Sequence, residues 1–274
     1  MAKNWFDLTG RVAVITGGTG LLGQQHAEAV AGAGGIPVLA DIYVSKLDIH
    51  SPEFNRRFGS SASVVQVDIT SPASVQSLLD TVLRKYGRVD ILINNAANNP
   101  KMEKTSEVEF SRLENFPLEQ WQADLSVGLT GAFLCSRVIG TEMAKRKSGV
   151  IVNVASDLAV IAPDQRLYRK PELPPDQQPV KPVTYSVVKT GLIGLTRYLA
   201  TYWAEAGIRV NAISPGGVYN NQPDDFVARL STLIPLGRMA NLDEYQAALL
   251  FLCSDASSYM TGTNLVIDGG RSCW

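Results

Sequence analysis

The sequence predicts an α/β fold: one domain on a doubly wound parallel sheet with helices on both faces. Three observations predict it. Short apolar runs alternate with helical patterns along most of the chain, which implies right-handed crossovers between parallel strands. The first apolar run leads directly into a glycine-rich turn that opens a helix, the arrangement that cradles a phosphate. The 274 residues are 45% hydrophobic, enough for a sizeable core in one α/β domain.

Residues 11–16 (Arg-Val-Ala-Val-Ile-Thr) read as a strand buried on both faces, since so short and unbroken an apolar run suits a parallel sheet. A helix follows over 21–33, then strands over 36–40 and 63–67. The helix over 72–86 has Ser71 placed to cap it and Pro72 at its first position. A fourth strand is expected at 90–93, one long helix over 121–146, and a strand over 150–154 after Gly149. A helix over 184–204, a strand over 209–213, a helix around 243–254 and a strand over 264–267 complete the alternation. Two segments break it. Residues 98–117 form a long polar connection. Residues 157–183 hold Pro163, Pro171, Pro174, Pro175, Pro179 and Pro182. A stretch of that kind inside a compact domain is a functional loop or a disordered one. It is no domain linker, because the strand before it and the helix after it belong to one pattern.

Bulk properties exclude several classes. The formal net charge of −1 leaves no footprint for nucleic acid or an anionic membrane. No apolar run approaches the roughly 18 residues of a membrane span. The opening Met-Ala-Lys-Asn-Trp-Phe-Asp lacks the apolar centre of a signal peptide. Cys135, Cys253 and Cys273 are scattered without metal-ligand spacing, so no metal is expected and a reducing cytoplasm is the simplest compartment.

Thr16-Gly17-Gly18-Thr19-Gly20-Leu21-Leu22-Gly23 carries the nucleotide signal. Glycines there permit a tight turn and close approach of backbone to a pyrophosphate, which the helix N-terminus attracts. Asp41 ends the second strand, 18 residues after Gly23. Its carboxylate can accept from both hydroxyls of an adenosine ribose and would repel a 2′-phosphate. No arginine adjoins it, so NAD is expected over NADP. Asp68 can bind the adenine amino group or simply cap the next segment. Ile42 and Ile69, which follow these carboxylates, are expected along the same wall. Asn94-Asn95-Ala96-Ala97 ends the fourth strand, where small residues would let a cofactor pass and the amides could equally tie strands together.

Tyr185 and Lys189 lie one helical turn apart on one face. A phenol ionises near pH 10 and is a poor proton acceptor at neutral pH, but a nearby ammonium can lower that value. The pair reads as a tuned proton donor and acceptor, with Ser156 upstream. On the substrate side, Arg166, Arg169, Lys170 and Lys181 fall within 16 positions; such a cluster could hold a phosphate or carboxylate, or be a solvated loop. The candidate substrate contacts are Asn98, Asp157, Arg166, Arg169 and Asn221, and Tyr168 could close over the pocket or merely pack the loop. His26 and His50 lie away from every motif.

Together these residues resemble the short-chain dehydrogenases/reductases over essentially the full length of the chain. The matching pieces are the run from Thr16 to Gly23, Asp41, Asp68, Asn94 to Ala97, Ser156, Tyr185, Lys189, Asn211-Ala212-Ile213-Ser214-Pro215-Gly216 and Asp268-Gly269-Gly270. The resemblance implies a Rossmann-like sheet of about seven parallel strands, NAD(P)-dependent hydride transfer, and a homotetramer or homodimer. It implies that Tyr185 is the general acid/base, that Lys189 lowers its pKa and holds the nicotinamide ribose, and that Ser156 orients the substrate oxygen. Pro215, Gly216, Gly217 and Val218 would line the nicotinamide pocket. Three features depart from the family's single-domain branch. The glycines fall at 17, 20 and 23, with Leu21 where that branch has its middle glycine. Ser156 precedes Tyr185 by 29 residues, a wider spacing than is usual there. Gly128 stands where many relatives carry an asparagine of a proton relay. A closer likeness, in Ala162-Pro163-Asp164, Ser214 to Val218 with Asn221-Gln222-Pro223, and Ser254 to Tyr259, is to dehydrogenases of flagellin-modification and nonulosonic-acid pathways. It suggests a sugar-like or sugar-phosphate substrate. The rival expectations are a general carbonyl or 3-oxoacyl reductase, a catalytically silent NAD-binding sensor, and epimerase or dehydratase chemistry.

Overall fold

The computed structural model describes residues 4–98 and 111–274; most of the polar connection expected at 98–117 lies outside the described residues. Strands β1 (Val12–Thr16), β2 (Ile36–Asp41), β3 (Ser63–Gln66), β4 (Ile91–Asn94), β5 (Gly149–Val154), β6 (Ile208–Pro215) and β7 (Asn264–Ile267) form one sheet in the order β3-β2-β1-β4-β5-β6-β7. Every pairing is parallel. After β3 the chain crosses to the far side of β1, so the winding reverses between β1 and β4. That reversal leaves a crevice at the carboxyl ends of those two strands.

The helices are α1 (Leu21–Gly32), α2 (Pro52–Phe58), α3 (Pro72–Tyr86), α4 (Leu118–Leu125), α5 (Gly131–Lys145), α6 (Val183–Tyr202), α7 (Asp224–Ser231) and α8 (Gln246–Cys253). The pleat of the sheet divides the apolar residues between two layers. Val12, Val14 and Leu92 face α3, α5 and α6, where Leu78, Ile139 and Trp203 are buried. Ala13, Ile15, Ile91 and Ile93 face α1, α2 and α8, packing with Val30, Phe58 and Leu252. A strand apolar at every position therefore has both faces covered, as the sequence pattern implies.

Local chemistry sets the helix ends. Ser71 Oγ accepts from the Ser74 amide at 3.3 Å, Pro72 opens α3, and Gly87 closes it in the left-handed region. The single helix expected over 121–146 begins at Leu118 and carries a π-turn, Ser126–Thr130, between α4 and α5. By length and composition this 28-residue helix could cross a membrane, although it holds no unbroken apolar run of that length. In the fold, Leu134, Cys135, Ile139 and Met143 are buried against the sheet layer. Helices α2 and α7 were not expected; each is short, so its periodicity is faint.

The proline-rich segment is ordered by its own side chains. Gln178 accepts from the Lys170 amide at 2.8 Å and donates to the Lys170 carbonyl at 2.9 Å. Gln165 accepts from the Lys181 amide at 2.8 Å. Leu167 is buried with Leu230, Ile234 and Met239, and Tyr168 packs on Phe226 with ring centroids 5.8 Å apart. The segment thus docks on α7 and forms a wall over the carboxyl edge of the sheet.

Candidate active site

The crevice is a cleft of about 830 Å³ that runs from β2 to the start of α6. Gly17, Gly20, Leu21 and Leu22 line its floor. Gly17 has φ +61°, and a Cβ there would lie 2.9 Å from the Ala96 Cα; a side chain fits neither the turn nor the crossing. A Cβ on Gly23 would sit 2.1 Å from the Gly17 carbonyl oxygen, so the unusual glycine spacing still serves close turn–helix packing. Helix α1 starts at Gly20 with no side-chain cap, which leaves amide donors of the first turn for an anion such as a pyrophosphate.

Asp41 and Ile42 line the far end of the cleft, Asp68 and Ile69 its side, and Asn95, Ala96 and Ala97 its centre. Asp41 accepts from the Thr19 amide and from the Tyr43 amide, both at 3.1 Å. Its carboxylate is thereby fixed at the strand end. Asp68 accepts from the Thr70 amide at 2.9 Å and hydroxyl at 2.7 Å, so it caps a turn as well as facing the cleft. Lys46 also lines this end; it belongs to a short turn that no sequence pattern singled out.

Two residues expected at the cofactor are set behind it. Thr16 is 1% exposed, and its hydroxyl accepts from the Asn95 and Ala96 amides at 3.0 and 3.1 Å. Thr19 is buried with its hydroxyl on the Tyr43 carbonyl at 3.2 Å. Both hold the lining rather than form it. Asn94 donates to Asn153 at 2.8 Å and to Ser136 at 3.0 Å, a cross-strand tie. Asn95 donates to the Thr16 and Gly17 carbonyls, which secures the glycine turn.

Tyr185, Lys189, Pro215, Gly216, Gly217 and Val218 close the other end. Ser156, at the tip of β5, faces a side cavity of about 160 Å³ together with Asp157, Tyr168, Tyr185 and Arg271. The hydroxyl of Ser156 donates to Asp157 Oδ1 at 2.8 Å and stands near enough to the Tyr185 phenol to favour its ionised form. Burial pushes the Tyr185 phenol up; the Ser156 hydrogen bond opposes this and the Asp157 charge adds to it. Lys189 donates to the Val154 carbonyl at 2.7 Å, and its Nζ is 5.9 Å from the Tyr185 ring centroid. Burial, then the charge of Lys181, brings the Lys189 ammonium down to about 8. The expected lowering of the phenol by Lys189 does not figure among the causes of its shift, in which burial is the largest.

The substrate candidates separate. Asn98 lines the cleft and donates to Asp124 at 2.8 Å. Asp157 is buried and spent on its neighbours: Oδ2 accepts from Arg271 at 2.8 Å, Oδ1 from Ser156 and from the Leu158 amide. Its carboxylate fixes the Ser156 hydroxyl while it lines the side cavity. Arg166 turns back onto Asp164 at 2.7 Å and is 74% exposed, because an arginine two residues from an aspartate at a turn closes its own fork. Arg169 faces a separate cavity on the outside of the proline-rich segment, with Arg112 and Gln178. Asn221 has φ +56° and is an exposed turn former. Neither arginine nor Asn221 reaches the cleft. Lys181 and Gln222 do, and Tyr168 walls the side cavity; sequence spacing could not rank them. Tyr168 both packs the loop and walls the cavity, its phenol pushed up to about 12 by burial.

Behind Tyr185 and Lys189 lies a smaller cavity of about 100 Å³, walled by Asp124, Gly128, Thr184 and Val188. Asp124 accepts from the Thr184 hydroxyl at 2.5 Å and from Gln120 at 2.6 Å. Gly128 sits in the π-turn, and a Cβ there would lie 2.4 Å from Val188 Cγ1. Val188 therefore occupies the space that a relay asparagine would enter. Burial pushes the Cys135 and Cys253 thiols up to about 12, so neither is a nucleophile. Among the described residues no cluster of His, Cys, Asp or Glu could hold a metal.

Comparison with known proteins agrees with this geometry. Residues 11–168 match the family described as short chain dehydrogenase, and residues 177–272 the one described as Enoyl-(Acyl carrier protein) reductase. The NAD-dependent glycerol dehydrogenase of Listeria innocua is 34% identical over 97% of this chain and 95% of its own. The D-threitol dehydrogenase of Mycolicibacterium smegmatis is 32% identical over 97% and 94%. The NADP-dependent mannitol dehydrogenase of Alternaria alternata is 31% identical over 98% and 94%. A short-chain type dehydrogenase/reductase from Mycobacterium marinum superposes with TM-score 0.85 at 30% identity, covering 99% of both chains. The chain belongs to the short-chain dehydrogenase/reductase family.

Proposed function

We propose that this short-chain dehydrogenase/reductase interconverts a secondary alcohol and a ketone on a polyhydroxylated, sugar-like substrate, with NAD as its preferred cofactor. The observation that carries the reading is the convergence of Ser156, Tyr185 and Lys189 at one end of a cleft whose other end is Asp41. The named relatives act, by their names, on glycerol, threitol and mannitol. They support the polyol class, within which a sugar-like substrate also falls. Relatives include both NAD- and NADP-dependent enzymes; the choice of NAD rests on the Asp41 carboxylate, which opposes a 2′-phosphate.

The cleft fits a dinucleotide. The uncapped start of α1 would meet the pyrophosphate, Asp41 the adenosine ribose, Lys189 the nicotinamide ribose, and the run from Pro215 to Val218 the nicotinamide face. When bound, that ring supplies the hydride acceptor in oxidation and the donor in reduction. The protein's own residues manage the proton. In oxidation Tyr185 as phenolate takes the hydroxyl proton, and in reduction the neutral phenol returns it. Ser156 can accept from an alcohol while it donates to Asp157. Toward a ketone oxygen it must turn its single proton away from Asp157. The Arg271–Asp157 pair, at 9% and 4% side-chain exposure, holds that carboxylate in place. Tyr185→Phe should abolish turnover with NADH affinity within about twofold of the parent, measured by fluorescence titration; sustained turnover refutes the assignment.

We further propose a homodimer or homotetramer through α5 and α6, where Phe133, Tyr198 and Tyr202 are exposed and the two tyrosines stack at 5.8 Å. Sedimentation equilibrium that finds a monomer at micromolar concentration refutes it.

A further inference from the structure

Charges around the reacting end do not pair off. Lys181, Lys189 and Arg271 line the catalytic cavities, with Asp157 and Asp124 as the carboxylates there. Arg271 is paired with Asp157. Lys189 is held by the Val154 carbonyl. Asp124 is occupied by Asn98, Gln120 and Thr184. Lys181 alone of the three cations has no hydrogen-bond or carboxylate partner for its ammonium among the described residues. Its Nζ instead sits 3.8 Å from the centroid of the Tyr185 ring, and it borders the cofactor cleft, the side cavity and the rear cavity together. Its backbone amide is anchored by Gln165, and its ammonium rests on the face of the Tyr185 ring. Burial lowers its pKa, and Asp157 only partly compensates. A partly buried ammonium without an anion is unfavourable until one arrives.

We propose that Lys181 is the anion-binding residue of the substrate site, and that the substrate is a polyhydroxylated carboxylate of the sugar-acid class. Its reacting carbinol would lie at Ser156 and Tyr185 with its carboxylate on Lys181. The inference deepens the polyol reading above and rests on it. One ammonium with three donors suits a monoanion. A phosphate ester would call for further cations, and Arg166 and Arg169 are turned elsewhere.

The test compares matched substrates, xylitol with xylonate and mannitol with mannonate, and includes xylitol 5-phosphate. The parent enzyme should favour the carboxylate over its neutral parent by about tenfold or more in kcat/KM. In Lys181→Met that preference should collapse by about 10- to 100-fold, through KM more than kcat, while Lys181→Arg keeps most of it. Survival of the preference in Lys181→Met overturns the proposal. So does tenfold weaker NADH binding, which would place Lys181 on the cofactor. A parallel loss for neutral and charged substrates with a shifted pH profile would assign it to the Tyr185 phenol instead, and preference for the phosphate would overturn the carboxylate. If neutral polyols are oxidised without carboxylate preference, only this inference falls. If no member of the panel is oxidised, the polyol reading falls with it.

Discussion

The contact between Gly128 and Val188 gives a sharp test of how the π-turn is fixed. An alanine Cβ at 128 would stand 2.4 Å from Val188 Cγ1 and 3.4 Å from Cγ2, against about 3.5–4.0 Å for carbons at rest. Val188 is 6% exposed and lies on α6 between Tyr185 and Lys189, so relief requires a shift of the catalytic helix or of the π-turn. Gly128→Ala should cost about 1–3 kcal/mol as overpacking. Val188→Ala removes two buried methyl groups, about 1.6 kcal/mol of transfer free energy plus a cavity term. In the double variant the new Cβ fills the vacated space, so the pair should cost about 1 kcal/mol. The coupling is then about 2 kcal/mol or more in favour of the double variant, far outside the additivity of independent sites. Urea unfolding of the four proteins measures it, and kcat should fall in Gly128→Ala and recover in the double variant. Additivity within about 0.5 kcal/mol would refute the packing argument. Gly128→Asn should be worse than Gly128→Ala, since the asparagine of relatives meets the same methyl before its amide reaches any partner.

Three further outcomes follow from the site. Asp41→Ala should narrow the preference for NADH over NADPH by about 10- to 100-fold in Kd; tighter NADPH binding by the parent protein would show that Lys46, not Asp41, sets the choice. Because burial raises the Tyr185 phenol, the phenolate is scarce at neutral pH and grows about tenfold per pH unit, so kcat/KM for oxidation should climb from pH 6 and bend over as Lys189 discharges near about 8. Reduction, which uses the neutral phenol, should be flat on its acid side, and a flat oxidation profile would contradict the assignment. Arg271→Met leaves the Asp157 carboxylate buried without its partner and should cost about 3–5 kcal/mol of stability, together with a drop in kcat as Ser156 loses its anchor; a loss under about 1 kcal/mol by denaturant unfolding would mean that Asp157 is solvated through the side cavity.

The alternation of apolar runs and helical patterns was enough to place the seven strands within a residue or two, because central parallel strands such as β1 and β4 are covered on both faces and are mostly apolar. The glycine turn, Asp41, Ser156, Tyr185 and Lys189 were legible for a related reason. The glycine turn, Asp41 and Ser156 sit at or just past strand ends, and Tyr185 and Lys189 share one face of α6 by their one-turn spacing, so their placement follows from the regular elements. The two short helices, α2 and α7, had too few turns to show a period. The π-turn was invisible because one extra residue in a helix leaves the apolar stripe nearly unbroken.

What tertiary structure decided lies almost entirely in the segment between Ser156 and Tyr185. Four cations stood there in one stretch, and nothing in their spacing distinguished them. Arg166 folds onto Asp164, Arg169 faces outward, and Lys181 is delivered to Tyr185 because Gln165, Gln178 and Leu167 tie the segment down at particular points. Arg271, 114 residues from Asp157 in sequence, holds its carboxylate, a pairing that no local pattern shows. The sequence by itself determined the sheet, the glycine turn that floors the cleft and the one-turn spacing of Tyr185 and Lys189, since those depend on local periodicity and on backbone that only glycine allows. The direction of each cation and carboxylate in that segment was set by long-range contacts, because an irregular loop has no period from which side-chain direction can be read.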